Sequence, residues 1–501
     1  MKLPVLQQRI EEARQFLLTQ DFAQAFSCYA RLTRRFPGHA VLWFEYGNAA
    51  SRLGQRADAI RAWDKSIALE PNNVELLVQV GHQYLGARQS QQAQGCFSRA
   101  AAVDAKAINP RISLALSLER QHRLGEARAL AEQCLAIDAR DEQARYVSAV
   151  LDRREGLLES AESRLRELIQ SDLRHPYVRY ACRYELAQIL DRTERFDEAM
   201  KLLAEAKQLV RAPVDINPLL NTYDHTAENA LRFASSQPRD VLQRWAKSFP
   251  SQKRERIPPL AFLGGHPRSG TTLLEQILGA HPGIAAFDEP LFFSDLVGPA
   301  FRKTFELPNA RLNALRRSYT CAMLSDTGSP SASKLLLDKN PSLTAQLPIT
   351  LRVFPELRVI IALRDPRDVV LSCYFQNLLL NATNANFLSF ERLAKHYGDL
   401  MDIWLAAREW EGFSWLETRY EDIVANVEHE GRRVTEFIGL DWHERQKRFH
   451  EQRNQLHSPT YHDVTQPVYN RSVGRWRSYE KHLSPILPVL EPYCLRLGYA
   501  I

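Results

Sequence analysis

Small and large apolar residues recur along the first part of the chain with a fixed step. Alanines stand at Ala25, Ala59, Ala93, Ala127 and Ala161, each 34 residues after the last. Four residues beyond them come Tyr29, Trp63, Phe97, Ala131 and Leu165. Gly47 and Gly81 keep the step, as do Pro37 and Pro71. A step of this length predicts a repeated helix–turn–helix unit whose small residues let paired helices approach closely. A last unit at Phe196-Asp197-Glu198-Ala199 falls four residues out of step, as expected of an insertion or a terminal cap. Between about 212 and 258 the step is lost. Pro213, Pro218, Pro238 and Pro250 punctuate the segment, residues 227–249 keep helical spacing, and a charged run at 251–256 leads to Pro258-Pro259. Such punctuation marks a passage between domains. Beyond it the pattern changes to short apolar runs at 260–263, 334–337, 357–363 and 413–416, with helical spacing between them. Near-continuous apolar runs predict buried parallel strands, and their alternation with helices predicts a doubly wound sheet with its ligand at the carboxyl ends of the strands.

The expected architecture is therefore α + α/β. An N-terminal α-solenoid occupies residues 1–212, a partly helical linker 213–258, and an α/β domain with a central parallel sheet and a P-loop-like turn 259–501. The helical unit resembles the tetratricopeptide repeat, seen also in Trp43-Phe44-Glu45-Tyr46-Gly47 and Gly81-His82-Gln83-Tyr84. The concave groove of such a solenoid implies binding of a protein partner or dimerisation. With 501 residues, more than one domain is expected. At 45% hydrophobic and 25% charged residues the composition is that of a globular protein. No apolar run approaches about 18 residues, so no membrane span is expected. Glu11, Glu12 and Arg14 interrupt the N-terminus too soon for a secretory leader. The seven cysteines are scattered without a CxxC pair or metal-ligand spacing, which suits a reduced, cytoplasmic setting and no metal site. A net charge of +6 suits an anionic ligand and does not call for nucleic acid.

Chemistry concentrates at Gly265-His266-Pro267-Arg268-Ser269-Gly270-Thr271-Thr272, between the first apolar run and the helical pattern of Leu273-Leu274-Glu275-Gln276-Ile277-Leu278. Strand, glycine-containing loop and helix in this order aim backbone N–H groups and a helix N-terminus at one point, a site for a phosphate-like anion. The spacing approaches the ATPase loop G-x-x-x-x-G-K-[ST], but Thr271 stands where the lysine belongs. That argues against ordinary ATP or GTP hydrolysis. The second signal follows the 357–363 run: Arg364-Asp365-Pro366-Arg367-Asp368-Val369-Val370-Leu371-Ser372. Arg364 ends a strand and offers a planar fork for phosphate; Ser372 lies in the following helix and adds a hydroxyl.

Together the loop and the Arg364…Ser372 pair resemble the two nucleotide motifs of sulfotransferases that use 3′-phosphoadenosine 5′-phosphosulfate (PAPS) and release adenosine 3′,5′-bisphosphate. The resemblance covers roughly residues 260 to 480 and is nearest to tyrosylprotein sulfotransferases and to bacterial proteins joining tetratricopeptide repeats to such a domain. It implies that Arg268, Ser269, Gly270, Thr271 and Thr272 hold the 5′-phosphosulfate, with Arg268 stabilising the transferring group. Arg364 and Ser372 clamp the 3′-phosphate. Glu289, after Phe287-Asp288, takes the acceptor's proton, with Asp288 a competing candidate. Lys339, in Leu337-Asp338-Lys339-Asn340-Pro341, stabilises the leaving oxygen. Tyr420 contacts the adenine, and Arg475, in Val473-Gly474-Arg475-Trp476, reaches the 3′-phosphate. Thr460 falls where that subfamily has a catalytic serine, with Ser458 close by.

The function these residues imply is sulfuryl transfer from PAPS to a hydroxyl on a peptide, a protein such as one bearing tyrosine, or a small molecule. Two other readings stand beside it. One is a P-loop nucleotide or small-molecule kinase, which the missing lysine counts against. The other is a non-enzymatic repeat scaffold with a relic second domain.

Overall fold

The computed structural model of the chain describes residues 3–19, 21–290, 307–326, 334–451 and 471–501. Their packing divides into two compact units, Met1–His175 and Pro176–Ile501.

The first unit is a series of helical hairpins. Helices Ala40–Arg52, Val74–Gly86, Ile108–Glu119 and Glu142–Arg154 begin 34 residues apart, and each packs on the helix that follows it: Arg56–Leu69, Ser90–Val103, Leu124–Ile137 and Leu158–Gln170. The alanines of the sequence register lie on second helices and are fully buried. A Cβ on Gly47 would stand 2.5 Å from Trp63 Nε1, and one on Gly81 would press into the ring of Phe97. In these two repeats glycine in the first helix thus makes room for the ring that follows the alanine. Fully burying a side chain such as Phe97 contributes about 1.5–3 kcal/mol.

The hairpin turns carry a left-handed residue at Gly54, Arg88, His122 and Gly156, again 34 apart. Such residues end helices by turning the chain away from them. The next one is Glu194, 38 residues on. Its preceding helix, Pro176–Arg192, has 17 residues where Glu142–Arg154 has 13. The four-residue slip in the sequence is therefore one added helical turn.

That last hairpin, Pro176–Arg192 and Phe196–Arg211, shares the repeat pattern of residues 1–212 but packs within the second unit. The segment that follows it forms helices Asn217–Ser236 and Val241–Ser248. The sheet comprises β1 (Leu260–Gly265), β2 (Ile284–Asp288), β3 (Leu335–Lys339), β4 (Arg358–Leu363) and β5 (Ser414–Arg419). All pairings are parallel, in the order β2-β3-β1-β4-β5. Four strands fall on the four apolar runs. β2 is the addition, a short edge strand. β1 and β3 are buried throughout and β4 nearly so, as expected of strands covered on both faces. The chain leaves β1 toward β2 and leaves β4 toward β5, so the loops after these neighbours part and open a crevice at their carboxyl ends. Among the described residues no helix is long and apolar enough to cross a membrane.

Candidate active site

β1 enters the crevice through a loop held on all sides. Gly265 has φ +127°, and a Cβ there would run into the Ala362 carbonyl of β4. Its N–H donates to Thr344 Oγ1 at 2.9 Å, and the same hydroxyl donates to the Gly265 carbonyl at 2.9 Å. His266 is buried; its Nδ1 lies 2.7 Å from the Pro267 carbonyl and its Nε2 2.8 Å from His396 Nδ1. The carbonyl can only accept, so His266 carries its proton on Nδ1 and accepts from His396. Burial pushes the His266 imidazole down to about 4, so the pair is neutral near pH 7.

The loop ends at helix Thr271–Gly279, whose N-cap Gly270 is left-handed (φ +88°) and supplies no side-chain cap. A helix start without a side-chain cap presents its first N–H groups and its positive dipole end to an anion. A Cβ on Gly270 would stand 2.6 Å from the Tyr420 ring, so the ring lies directly on the loop.

Five non-glycine residues among those described have positive φ. Arg88, His122 and Glu194 belong to repeat turns. The other two are Arg268 (φ +75°) and Glu289 (φ +52°). A left-handed non-glycine residue costs about 1–3 kcal/mol and persists where its surroundings over-determine it, often at a functional site.

Arg268 links the two sequence motifs. Its Nε donates to Ser372 Oγ at 3.1 Å, and its carbonyl accepts from Arg364 Nη1 at 3.2 Å. The Arg364 guanidinium lies 4.7 Å over the Tyr420 ring, and its Nη2 donates to the Ser472 carbonyl at 2.5 Å. Ser372 is on helix Pro366–Tyr374, which Asp365 caps through Arg367 N. Ser269, Thr271, Thr272, Arg364 and Ser372 are all buried.

A second cluster sits beside the first. Asp288 and Lys339 are register partners of β2 and β3, so their side chains share a face. Lys339 is the last residue of β3 and fully buried. Its Nζ ion-pairs with Asp288, lies 3.1 Å from Glu289 Oε1, and donates to Thr272 Oγ1 at 3.5 Å. Burial alone would lower the Lys339 ammonium; the charges of Asp288, Glu289 and Glu275 outweigh it and hold the ammonium above its ordinary value. Glu275, buried in the second turn of the loop helix, is pushed up to about 7 by burial and by the charge of Asp288. The region is thus strongly polarised: a buried ammonium, two carboxylates at its edge and a third carboxyl, Glu275, that changes charge near pH 7.

Of the residues singled out by sequence, Arg268, Gly270, Thr272, Glu289, Lys339, Arg364, Ser372 and Tyr420 meet in these two clusters. Ser269 belongs to the same loop and Thr271 opens the helix that follows it. Arg475 is engaged elsewhere: its Nε donates to Asp191 Oδ1 at 3.0 Å and its guanidinium lies 4.3 Å over Phe375. Thr460 and Ser458 lie outside the described residues. Local sequence gives little sign of three supporting features. Glu275 reads as an ordinary helix residue, His396 belongs to a distant helix, and Asp368 acts through its fold: its carboxylate accepts from Gly474 N and Trp476 N, both at 2.7 Å. Among the described residues no group of three or more His, Cys, Asp or Glu is arranged to hold a metal ion.

Residues 259–444 match the sulfotransferase family model, and residues 40–73 match that of the tetratricopeptide repeat. An uncharacterised protein of Aquifex aeolicus (strain VF5) is 25% identical over 394 residues, covering 74% of this chain and 48% of that protein. Protein-tyrosine sulfotransferase A of Caenorhabditis elegans is 25% identical over 199 residues, covering 37% of this chain and 51% of that protein. The chain spans about half the length of these curated relatives. The crystal structure of MamA aligns at 18% identity with a TM-score of 0.28, covering 32% of this chain and 92% of that one.

Proposed function

We propose that this chain, which carries a sulfotransferase-family domain beside tetratricopeptide repeats, moves the sulfuryl group of PAPS to a hydroxyl. The acceptor oxygen attacks sulfur in line with the 5′-phosphate oxygen. The new S–O bond forms as the bond to the 5′-phosphate breaks, giving a sulfate ester and adenosine 3′,5′-bisphosphate. Glu289 receives the acceptor's proton. Arg268, Lys339 and the N–H groups at the start of helix Thr271–Gly279 stabilise the negative charge that spreads over the sulfuryl and leaving oxygens. Arg364 and Ser372 bind the 3′-phosphate, Tyr420 packs on the adenine, and Thr460 supplies a further hydroxyl; Arg475, held on Asp191, does not take the phosphate-binding role. The protein needs no covalent intermediate; positioning and preorganised charge supply the rate, as in phosphoryl transfer.

The observation that carries this reading is the left-handed backbone shared by Arg268 and Glu289, each tied to a different cluster. The acceptor is proposed to be a tyrosine hydroxyl, a choice supported by the names of relatives such as protein-tyrosine sulfotransferase A. The repeats are proposed to present the acceptor-bearing protein or to dimerise. A cytoplasmic setting is proposed with them, which suits the free cysteines. Calorimetric binding tests the nucleotide assignment: adenosine 3′,5′-bisphosphate should bind in preference to ATP, and preference for ATP would favour a kinase.

A further inference from the structure

The added turn of the last repeat has a specific occupant. It closes helix Pro176–Arg192 and contains Asp191. Asp191 Oδ1 accepts from Arg475 Nε at 3.0 Å and from Tyr479 OH at 2.7 Å, and Arg475 Nη2 lies 2.8 Å away. A first helix of the length seen in the preceding repeats would end about one turn earlier and lack this carboxylate. Tyr479 is fully buried, with its ring 5.1 Å from that of Phe196 and 5.7 Å from that of Phe375. Phe375, on which Arg475 lies, directly follows the helix that carries Ser372.

The other side of the same segment faces the nucleotide motif. Asp368 holds Gly474 N and Trp476 N, and the Ser472 carbonyl receives Arg364 Nη2. Residues 472–479 are thus fixed between a carboxylate of the last repeat and one of the nucleotide helix. The second helix of the same hairpin adds buried Lys207, whose Nζ stands 4.3 Å over the Tyr374 ring and donates to Tyr184 OH at 3.2 Å.

We infer that Asp191 is a positioning residue for the 3′-phosphate side of the nucleotide site, an inference that rests on the assignment of Arg364 and Ser372 to that phosphate. The connection runs from Asp191 through Arg475 and Tyr479 to Gly474 and Ser472, and from the Ser472 carbonyl to the Arg364 fork. The last repeat has been lengthened to complete this wall. Loss of Asp191 frees Arg475 and loosens the segment that orients Arg364.

The test compares full-length wild type, Asp191→Asn and Asp191→Glu by calorimetry with adenosine 3′,5′-bisphosphate and with adenosine 5′-phosphate. Asparagine keeps an acceptor for Tyr479 but gives up the charge that holds Arg475. Wild type should prefer the bisphosphate. Asp191→Asn should lose about tenfold of that preference, the scale of one charge-assisted hydrogen bond, with 5′-phosphate affinity unchanged. Asp191→Glu should recover most of it. An unchanged or larger preference in Asp191→Asn overturns the inference, as does an equal fall for both nucleotides, which marks a purely structural role. If Asp191→Asn does not fold, Tyr479→Phe, which deletes only the hydroxyl bound to Asp191, is judged by the same ratio. A wild type without preference for the bisphosphate contradicts the nucleotide assignment itself and removes the site that Asp191 is inferred to support.

Discussion

Glu289 and Lys339 are tied twice. The Glu289 N–H donates to the Lys339 carbonyl at 2.7 Å, and Lys339 Nζ lies 3.1 Å from Glu289 Oε1. The backbone tie extends the β2–β3 pairing by one residue beyond Asp288. The side-chain tie places a buried positive charge beside the carboxylate proposed to take the acceptor's proton. One lysine can therefore orient the base and stabilise charge on the leaving group.

Removing that lysine should damage both fold and activity. Breaking a buried ion pair by deleting one partner costs about 3–5 kcal/mol, because the other charge stays buried. Lys339→Met should lower Tm clearly in thermal unfolding followed by circular dichroism. The pH dependence has a definite sign. The folded ammonium titrates above its ordinary value of 10.5, so its contribution is fully present below 10.5 and is lost as pH rises through the raised folded value. Lys339→Met should flatten that alkaline loss of stability.

Arg268 carries the opposite expectation for stability. It pays the cost of a left-handed backbone for its position. Arg268→Gly relieves that conformation and should leave Tm within a few degrees of wild type. It should lower kcat by about 10²–10³, the scale of losing one donor to transition-state charge. A large loss of stability with kcat retained would place Arg268 in the scaffold rather than the chemistry.

Glu275 predicts a pH effect without a direct contact to the reacting atoms. Its folded-state value is raised from 4.5 to about 7, so the native state binds more protons than the unfolded state in that interval. Stability therefore falls as pH rises from about 4.5 to 7 through this group. Glu275→Gln should remove that slope and raise Tm at pH 8 by at least about 2 °C. Denaturation at several pH values checks it; an unchanged slope would contradict the assigned burial and charge environment.

Gly270 should tolerate no side chain. With φ at +88° and the Tyr420 ring 2.6 Å from a would-be Cβ, Gly270→Ala must strain the backbone and displace the ring. The backbone term alone costs about 1–2 kcal/mol. Binding of adenosine 3′,5′-bisphosphate should weaken, and the stability lost on Gly270→Ala should be smaller in a Tyr420→Ala background than in wild type, because the ring is then gone and only the backbone term remains. An equal loss of stability on Gly270→Ala in both backgrounds would contradict the contact.

The sequence revealed those parts of the fold whose physics is local and periodic. The alanine register is readable because each hairpin repeats one packing solution, and Arg268 because a strand, a glycine and a helix start are adjacent in the chain. β2 is hidden: Ile284-Ala285-Ala286-Phe287-Asp288 is short, alanine-rich and at the sheet edge, so neither periodicity nor propensity marks it. Lys339 looks like a turn residue next to Asn340-Pro341, yet register with Asp288 makes it the buried end of β3. The slip before Phe196 is visible as four residues, but only the helix lengths show it to be one turn carrying Asp191. His266–His396 and Arg475–Asp191 join residues far apart in the chain, and no local pattern encodes such contacts.

The central claim is transfer from PAPS with Glu289 as base. Its most direct measurement follows purified full-length protein with PAPS and a tyrosine-bearing peptide, reading adenosine 3′,5′-bisphosphate release together with sulfate gained on the peptide by mass spectrometry. Wild type should form both products in equal amounts. Glu289→Gln should bind adenosine 3′,5′-bisphosphate as wild type does while turning over about 10²–10⁴ times more slowly. Full turnover by Glu289→Gln would contradict the base assignment, and no transfer by folded, nucleotide-bound wild type to this peptide or to a panel of other hydroxyl acceptors would contradict the enzyme itself.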